Sequence, residues 1–173
     1  MTGRGVYATG LVVIHTQDEF LLDFITGFAQ PASIVGRIIA TPPHFKRMVK
    51  ALLENIGRYE QAYGGIPAQP ENTRAQPGQV KDLYAKLQVP DGCLGGVYSN
   101  CMAVMHTREA FVMDFSTNFP PAAKISARII VSPEHFRRII TVLSDNLSQF
   151  EERFGKIEAG GPPSEQRLWF NLN

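Results

Sequence analysis

Apolar and polar residues alternate through the first forty positions of the chain and then change period. The run "VYATGLVVIHT" (6–16) is β-rich and ends at His15-Thr16, "QDE" turns the chain, and "FLLDF" (20–24) continues in strand alternation. A Pro/Ala-rich loop, "AQPAS", leads into a third run, "IVGRIIA" (34–40), so the pattern predicts three antiparallel strands. Beyond Ala40 the period lengthens. Thr41-Pro42 puts a hydroxyl N-cap before a proline in the first helical turn, and Phe45, Val49, Leu52, Ile56, Tyr59 and Tyr63 follow at alternating steps of four and three. That is heptad spacing, which predicts a helix packed on another helix as well as on the sheet, closed by Gly64 as a C-cap.

The whole pattern then recurs. Shifted by 91 positions, Val6 to Ile66 aligns with Val97 to Ile157 without a gap, and more than a third of the aligned positions are identical. "RIIATPPHFKRMV" becomes "RIIVSPEHFRRII", Ser132-Pro133 repeats the helix start, and Phe136, Ile140, Leu143, Leu147, Phe150 and Phe154 repeat the helix stripe before Gly155. A repeat of domain size within one chain reads as a fused dimer. The expected fold is α+β: two tandem βββα units related by a pseudo-two-fold axis, sharing one antiparallel sheet or forming two facing sheets, with two long helices packed together. The first unit spans 1–66, a linker with a short helix 67–96, the second unit 97–157, and a tail 158–173.

Alternation assigns the strand faces. Phe20, Leu22 and Phe24 point with Ile34, Gly36 and Ile38 toward the helix. The opposite face carries Leu21, Asp23, Val35, Arg37 and Ile39, matched by Val112, Asp114, Ser126, Arg128 and Ile130 in the second copy. In the linker, "PAQPENTRAQPG" has the composition of a flexible connection, and "QVKDLYAKLQVPDG" predicts a short amphipathic helix with Val80, Leu83, Tyr84 and Leu87 on one side. That helix is expected to cover a sheet edge or join the helical layer. The tail opens with a Gly/Pro-rich spacer and ends with the only tryptophan, so Leu168, Trp169 and Phe170 are candidates for docking on a partner, on an exposed sheet edge or on the chain's own domain.

Composition adds exclusions. Hydrophobic residues at 44% and charged residues at 19% suit a folded globular chain. A net charge of +1, from 17 basic and 16 acidic residues, supplies no overall field toward nucleic acid or an anionic membrane. Cys93 and Cys101 are too few for a disulfide framework and match no zinc spacing, so reduced thiols and a cytoplasmic location are expected. The longest apolar run near the start, Leu11 to Ile14, is too short to span a bilayer.

The pattern Val-Tyr, His-Thr, Phe-x-x-Asp-Phe, Arg-Ile, Ser/Thr-Pro-x-His, Asn and Tyr/Phe-Glu-x-x-Phe/Tyr-Gly, present in both copies, resembles an uncharacterised bacterial and archaeal family known only as a domain of unknown function. The resemblance covers about two thirds of the chain and brings no activity with it. Because relatives usually carry one copy, it implies that they dimerise. The halves are not interchangeable, since Gly10 faces Cys101 at a matched position.

Few residues suggest chemistry. His15 and His106 sit at hairpin turns, where a histidine is ordinarily a surface or capping residue, Asp23 and Asp114 in second strands, and His44 and His135 in first helical turns. A metal or acid–base site can be written from such a set, but Asp23 faces away from the helix that carries His44, so structural roles are favoured and neither metal nor cofactor is expected. Asp23 with Arg37, and Asp114 with Arg128, read as cross-strand ion pairs that form an interface or ligand-binding face. Lys46, Arg47 and Lys50, with Arg137 and Arg138, crowd the helix starts, making His44, Arg47, His135 and Arg138 a weak anion-binding candidate. No phosphate loop or nucleophile elbow is present. The sequence therefore favours a non-enzymatic protein–protein interaction or assembly module with an unidentified protein partner. Membrane and nucleic acid are not expected, and homo-oligomerisation is left open. The alternative is a ligand-binding or enzymatic protein with a pocket between the halves, where Asp23/Arg37 would approach Asp114/Arg128.

Overall fold

The computed structural model describes residues 4–68 and 79–158. In chain order the elements are β1 (Val6–Tyr7), β2 (Gly10–His15), β3 (Phe20–Thr26), β4 (Ser33–Ala40), α1 (Pro42–Tyr63), α2 (Gln79–Tyr84), α3 (Asp91–Leu94), β5 (Val97–Tyr98), β6 (Cys101–His106), β7 (Phe111–Phe119), β8 (Ala122–Val131) and α4 (Pro133–Phe154). The α+β class and the duplicated halves are as expected. The strands form two four-stranded sheets, ordered β2-β3-β4-β5 and β1-β8-β7-β6.

That order corrects the reading of "VYATGLVVIHT" as one antiparallel strand. The run bends after Tyr7 and serves both sheets. β1 pairs in parallel with β8 of the other copy, Val6 opposite Ile129 and Tyr7 opposite Ile130, while β2 pairs antiparallel with β3 of its own copy. β5 reciprocates by pairing in parallel with β4. The switch takes two consecutive amides: Ala8 N–H donates to the Ile130 carbonyl at 2.9 Å and Thr9 N–H to the Ile25 carbonyl at 2.8 Å. Ser99 and Asn100 repeat this with the carbonyls of Ile39 and Ser116. Strands that turn a corner between packed sheets commonly do so at a bend. Ala8 and Ser99, both fully buried, are small enough to pass between the sheets. Each sheet is thus completed by a strand from the other copy, and the halves are interlocked.

The inner faces are those alternation predicts. Phe20, Leu22, Phe24, Ile38 and Ala40 share one core with Phe111, Met113, Phe115, Ile129 and Val131. The sheets meet where the Phe24 and Phe115 rings lie 5.7 Å apart. Close by, a Cβ on Gly36 would stand 2.8 Å from Ile129 Cδ1, so this glycine is required by approach. Both copies carry a register irregularity at the same place, after Phe24 and after Phe115.

Both helices run to their predicted glycines, Gly64 and Gly155, at φ of 91° and 92°. They pack antiparallel: Lys46 in the first turns of α1 pairs with Glu151 near the end of α4 at 2.7 Å, and Arg137 at the start of α4 pairs with Glu60. The first turns sit on their own sheet, Phe45 stacked on Phe20 and Phe136 on Phe111, each at 3.7 Å. The far ends reach the other copy, Phe150 to Phe20 and Tyr59 to Phe111, each at 5.0 Å. The heptad stripe is half-buried at Ile56 and Leu147, exposed at its last position, where Tyr63 and Phe154 are 42% and 37% exposed, and buried elsewhere. Met48 and Ile139 are additional core residues outside that stripe.

Candidate functional site

Because the inner faces are consumed by the shared core, the Asp/Arg pairs lie on the outer faces and point away from the inter-sheet contact. The pairs are not brought together, which corrects the picture of a pocket in which they converge. Each is cross-strand, Asp23 opposite Arg37 and Asp114 opposite Arg128. Each is also bidentate. Arg37 donates from Nε and Nη2 to the two Asp23 oxygens at 2.7 and 2.8 Å, and Arg128 donates likewise to Asp114 at 2.6 and 2.6 Å. Two parallel charge-assisted bonds fix the guanidinium plane and occupy one lone pair on each carboxylate oxygen.

The surroundings of the two pairs differ. Over the first, the linker is seated on the sheet. Tyr84 of α2 donates its hydroxyl to Asp23 Oδ2, and the Leu94 carbonyl of α3 accepts from Arg37 Nη1 at 3.0 Å. Between them, Gln88 pairs with the start of β4: Ile34 N–H donates to the Gln88 carbonyl at 2.9 Å and Gln88 N–H to the Ala32 carbonyl at 2.8 Å. Burial, together with the Asp23 carboxylate, pushes the Tyr84 phenol well above its ordinary range, so it remains a donor. The predicted short helix is present, but it lies on the outer face, and only the chain just beyond it meets the sheet's end. It does not join the helical layer.

Over the second pair no such cover exists among the described residues. Asp114 is 6% exposed against 0% for Asp23, and the Arg128 side chain 37% against 16% for Arg37. Around the pair this face presents Met105 and Tyr7, 50% and 39% exposed, with Ala103, Val112 and Ile130. Gly5 and Gly96 pass over the two arginine stems. A Cβ on Gly5 would lie 2.8 Å from Ile130 Cδ1 and 3.3 Å from Arg128 Cδ, and one on Gly96 3.0 Å from Arg37 Cγ. Tyr84, Leu94 and these two glycines belong to the site but escape a reading by residue type. The repeated tripeptide Gly-Val-Tyr was the only available signal.

The four histidines pack against neighbouring side chains of the fold. His15 lies 5.3 Å from Phe20 and 5.5 Å from Phe150, and His106 packs against Phe111, Tyr59 and Tyr63. These are aromatic cages at the helix ends, which corrects the surface-turn reading. His44 is 3% exposed, with Nε2 3.4 Å from Ser99 Oγ, and it lines a cavity of about 200 Å³ with Arg47, Met48, Ala51, Asn100, Cys101 and Met102. Burial, then Arg47, lowers its pKa to about 4, so it is neutral at pH 7. His135 is lowered too, mainly by burial, and sits 2.8 Å from Ser132 Oγ through Nδ1.

A neutral imidazole adds no charge for an anion. The antiparallel helices place His44/Arg47 and His135/Arg138 at opposite ends of the layer, and Lys46 and Arg137 are engaged in the interhelical ion pairs. Among the described residues no group of three His, Cys, Asp or Glu side chains is placed to hold a metal ion. Also among them, no helix is long and apolar enough to cross a membrane. Leu168, Trp169 and Phe170, named for docking, lie outside the described residues.

No curated protein and no solved structure matches the chain. A family model does match, twice, and its two spans each take in one βββα copy. The chain belongs to the family described as "Protein of unknown function (DUF3467)", whose pattern it carries over residues 2–68 and again over residues 67–159.

Proposed function

We propose that the chain is a non-enzymatic protein–protein interaction module of the cytoplasm, and that its recognition surface is the outer face of the second sheet around Asp114 and Arg128. One observation carries this reading. In the first copy the same face already holds a stretch of polypeptide, by a hydroxyl to the carboxylate, a carbonyl to the guanidinium and a main-chain pairing at the strand end. The second copy presents the same bidentate pair, and among the described residues nothing covers it in that way. An ion pair satisfied on both sides suits recognition and register better than proton transfer, because neither group is left to exchange a proton with a substrate. The unbridged thiols of Cys93 and Cys101 accord with a reducing compartment. The alternative, a small ligand between the halves, has the cavity beside His44 in its favour, but the charged pairs point away from it.

The test is a photo-crosslinking side chain placed at Met105 in the organism's own cells, with Ile14, its counterpart on the covered face, as control. The expected result is a discrete protein adduct through position 105 that is absent at position 14 and lost with Arg128→Ala. A small-molecule mass held in native mass spectrometry, with no adduct specific to position 105, would overturn the reading.

A further inference from the structure

Separately from that face, we infer that the cavity between α1 and the start of β6 binds a small hydroxy acid. Arg47 holds its carboxylate, His44 accepts a hydrogen bond from its hydroxyl, and Met48, Ala51 and Met102 enclose a compact apolar body. The volume of about 200 Å³ sets the size. An apolar cavity of about 150 Å³ takes up benzene, so a body of about four to six carbons fits. His44, Arg47, Met48 and Ala51 fall on one face of α1, at i, i+3, i+4 and i+7, while Met102 comes from the second copy. The site exists only where the halves meet.

His44 points to a ligand. It is 3% exposed, and among the described residues its Nδ1 is buried without a hydrogen-bond partner. Its Nε2 lies 3.4 Å from Ser99 Oγ, whose single proton goes to the carbonyl of Cys101 at 2.9 Å or of Ser116 at 3.2 Å. Toward the ring this hydroxyl can therefore only accept, which places the imidazole proton on Nε2 and leaves a lone pair on Nδ1. A buried acceptor of this kind calls for an O–H or N–H donor. The second copy meets the same need internally, with Ser132 Oγ 2.8 Å from His135 Nδ1, whereas Thr41 makes no side-chain capping bond. An ammonium donor would be repelled by Arg47, whose charge already acts on the His44 ring, so the donor is a hydroxyl.

The carboxylate follows from Arg47. Lys46 and Arg137 are engaged in the interhelical ion pairs, while among the described residues no carboxylate pairs with Arg47. The first turn of α1 contains no acidic residue, and its dipole favours an anion in the same place. A guanidinium fork suits a planar carboxylate. The room is made by the first copy's own side chains, the small Ala51 and the flexible Met48, where the matched positions of the second copy carry Val142 and Ile139.

Met48 and Met102 line the cavity and Met105 and Met113 do not, so isotope-labelled methionine methyls read the site by NMR in the full chain. The probes are 2-hydroxyisovalerate and isovalerate, which lacks only the hydroxyl. The hydroxy acid should shift the Met48 and Met102 signals saturably and leave Met105 and Met113 in place. Isovalerate should bind roughly 2- to 12-fold more weakly, the worth of one net hydrogen bond. Arg47→Gln should weaken both acids by about 10-fold, through loss of the charge-assisted bond. Ala51→Val, which supplies the residue of the matched position, should remove the shifts, with an unmoved signal from the buried Met113 as the sign of an intact fold. No saturable shift at Met48 and Met102 in the native chain would overturn the inference. So would equal affinity for the two acids, which leaves His44 without a role, affinity indifferent to Arg47→Gln, or equal shifts of all four signals, which mark non-specific binding. The recognition reading is judged by the adduct through position 105 and is untouched by either result.

Discussion

Tyr84→Phe isolates the bond by which the Tyr84 hydroxyl ties the linker to the buried acid. The ring stays, so the apolar contact is nearly unchanged; only the hydroxyl that donates to Asp23 is lost. Asp23 is fully buried, so water does not replace the missing donor. A hydrogen bond to a charged group contributes about 1.5–3 kcal/mol. The six-residue α2 is too short to stand alone, so its protection reflects its docking on the sheet. Lowering the docking free energy by that amount raises the open fraction of the segment about 10- to 150-fold. Native-state hydrogen exchange reads this at the amides of Ala85, Lys86, Leu87 and Gln88, which donate to Lys81, Leu83, Tyr84 and Ala32. These four should exchange faster together, while amides of the β3–β4 ladder stay as slow as before. Unchanged exchange at the four positions would refute the reasoning, because the bond would then contribute nothing to seating the linker. Acceleration spread equally over the whole chain would refute it too, by showing that the linker does not open separately.

Two further predictions concern the core. His44 has its pKa lowered from 6.5 to about 4, chiefly by burial, so the unfolded state binds the proton first as pH falls. Its contribution is therefore complete above pH 6.5 and lost on descent toward pH 4, amounting to about 2 kcal/mol between pH 7 and pH 5. Urea titrations at the two pH values should show that loss reduced by a similar amount in His44→Gln, and an identical pH dependence in the variant would sink the assignment. Gly36→Val places a branched side chain where a Cβ already meets Ile129 Cδ1 at 2.8 Å, and Ile129 is itself fully buried. A loss of roughly 1–3 kcal/mol is expected in denaturant unfolding, and wild-type stability would show that the sheets do not meet there.

Much of this was legible because local chemistry fixes it. The hydroxyl-proline helix starts, the closing glycines and the four-three stripe identify α1 and α4 from the chain alone, and period-two alternation assigns Phe20, Leu22 and Phe24 inward with Asp23 outward. Alternation also put Asp23 and Arg37 on one face at opposite register, so the ion pairs could be written down in advance. The bend after Tyr7 was not legible. Two-residue strands carry no alternation to count, and a parallel backbone pairing leaves no mark on side-chain type. Nor was the seating of Tyr84 on Asp23, since a contact across 61 residues is set by where the intervening chain is carried.

By itself, then, the sequence determined the elements, the duplication and the face on which each charged pair lies, because capping, helical period and strand pleat act over a few neighbouring residues. Only the tertiary structure decided that each copy's first strand completes the other copy's sheet, and that one acidic pair is covered by the linker while the described chain leaves the other open. Those outcomes depend on which backbone amides find which carbonyls across the pseudo-two-fold, and on how a connecting segment closes over a surface, neither of which any local pattern encodes.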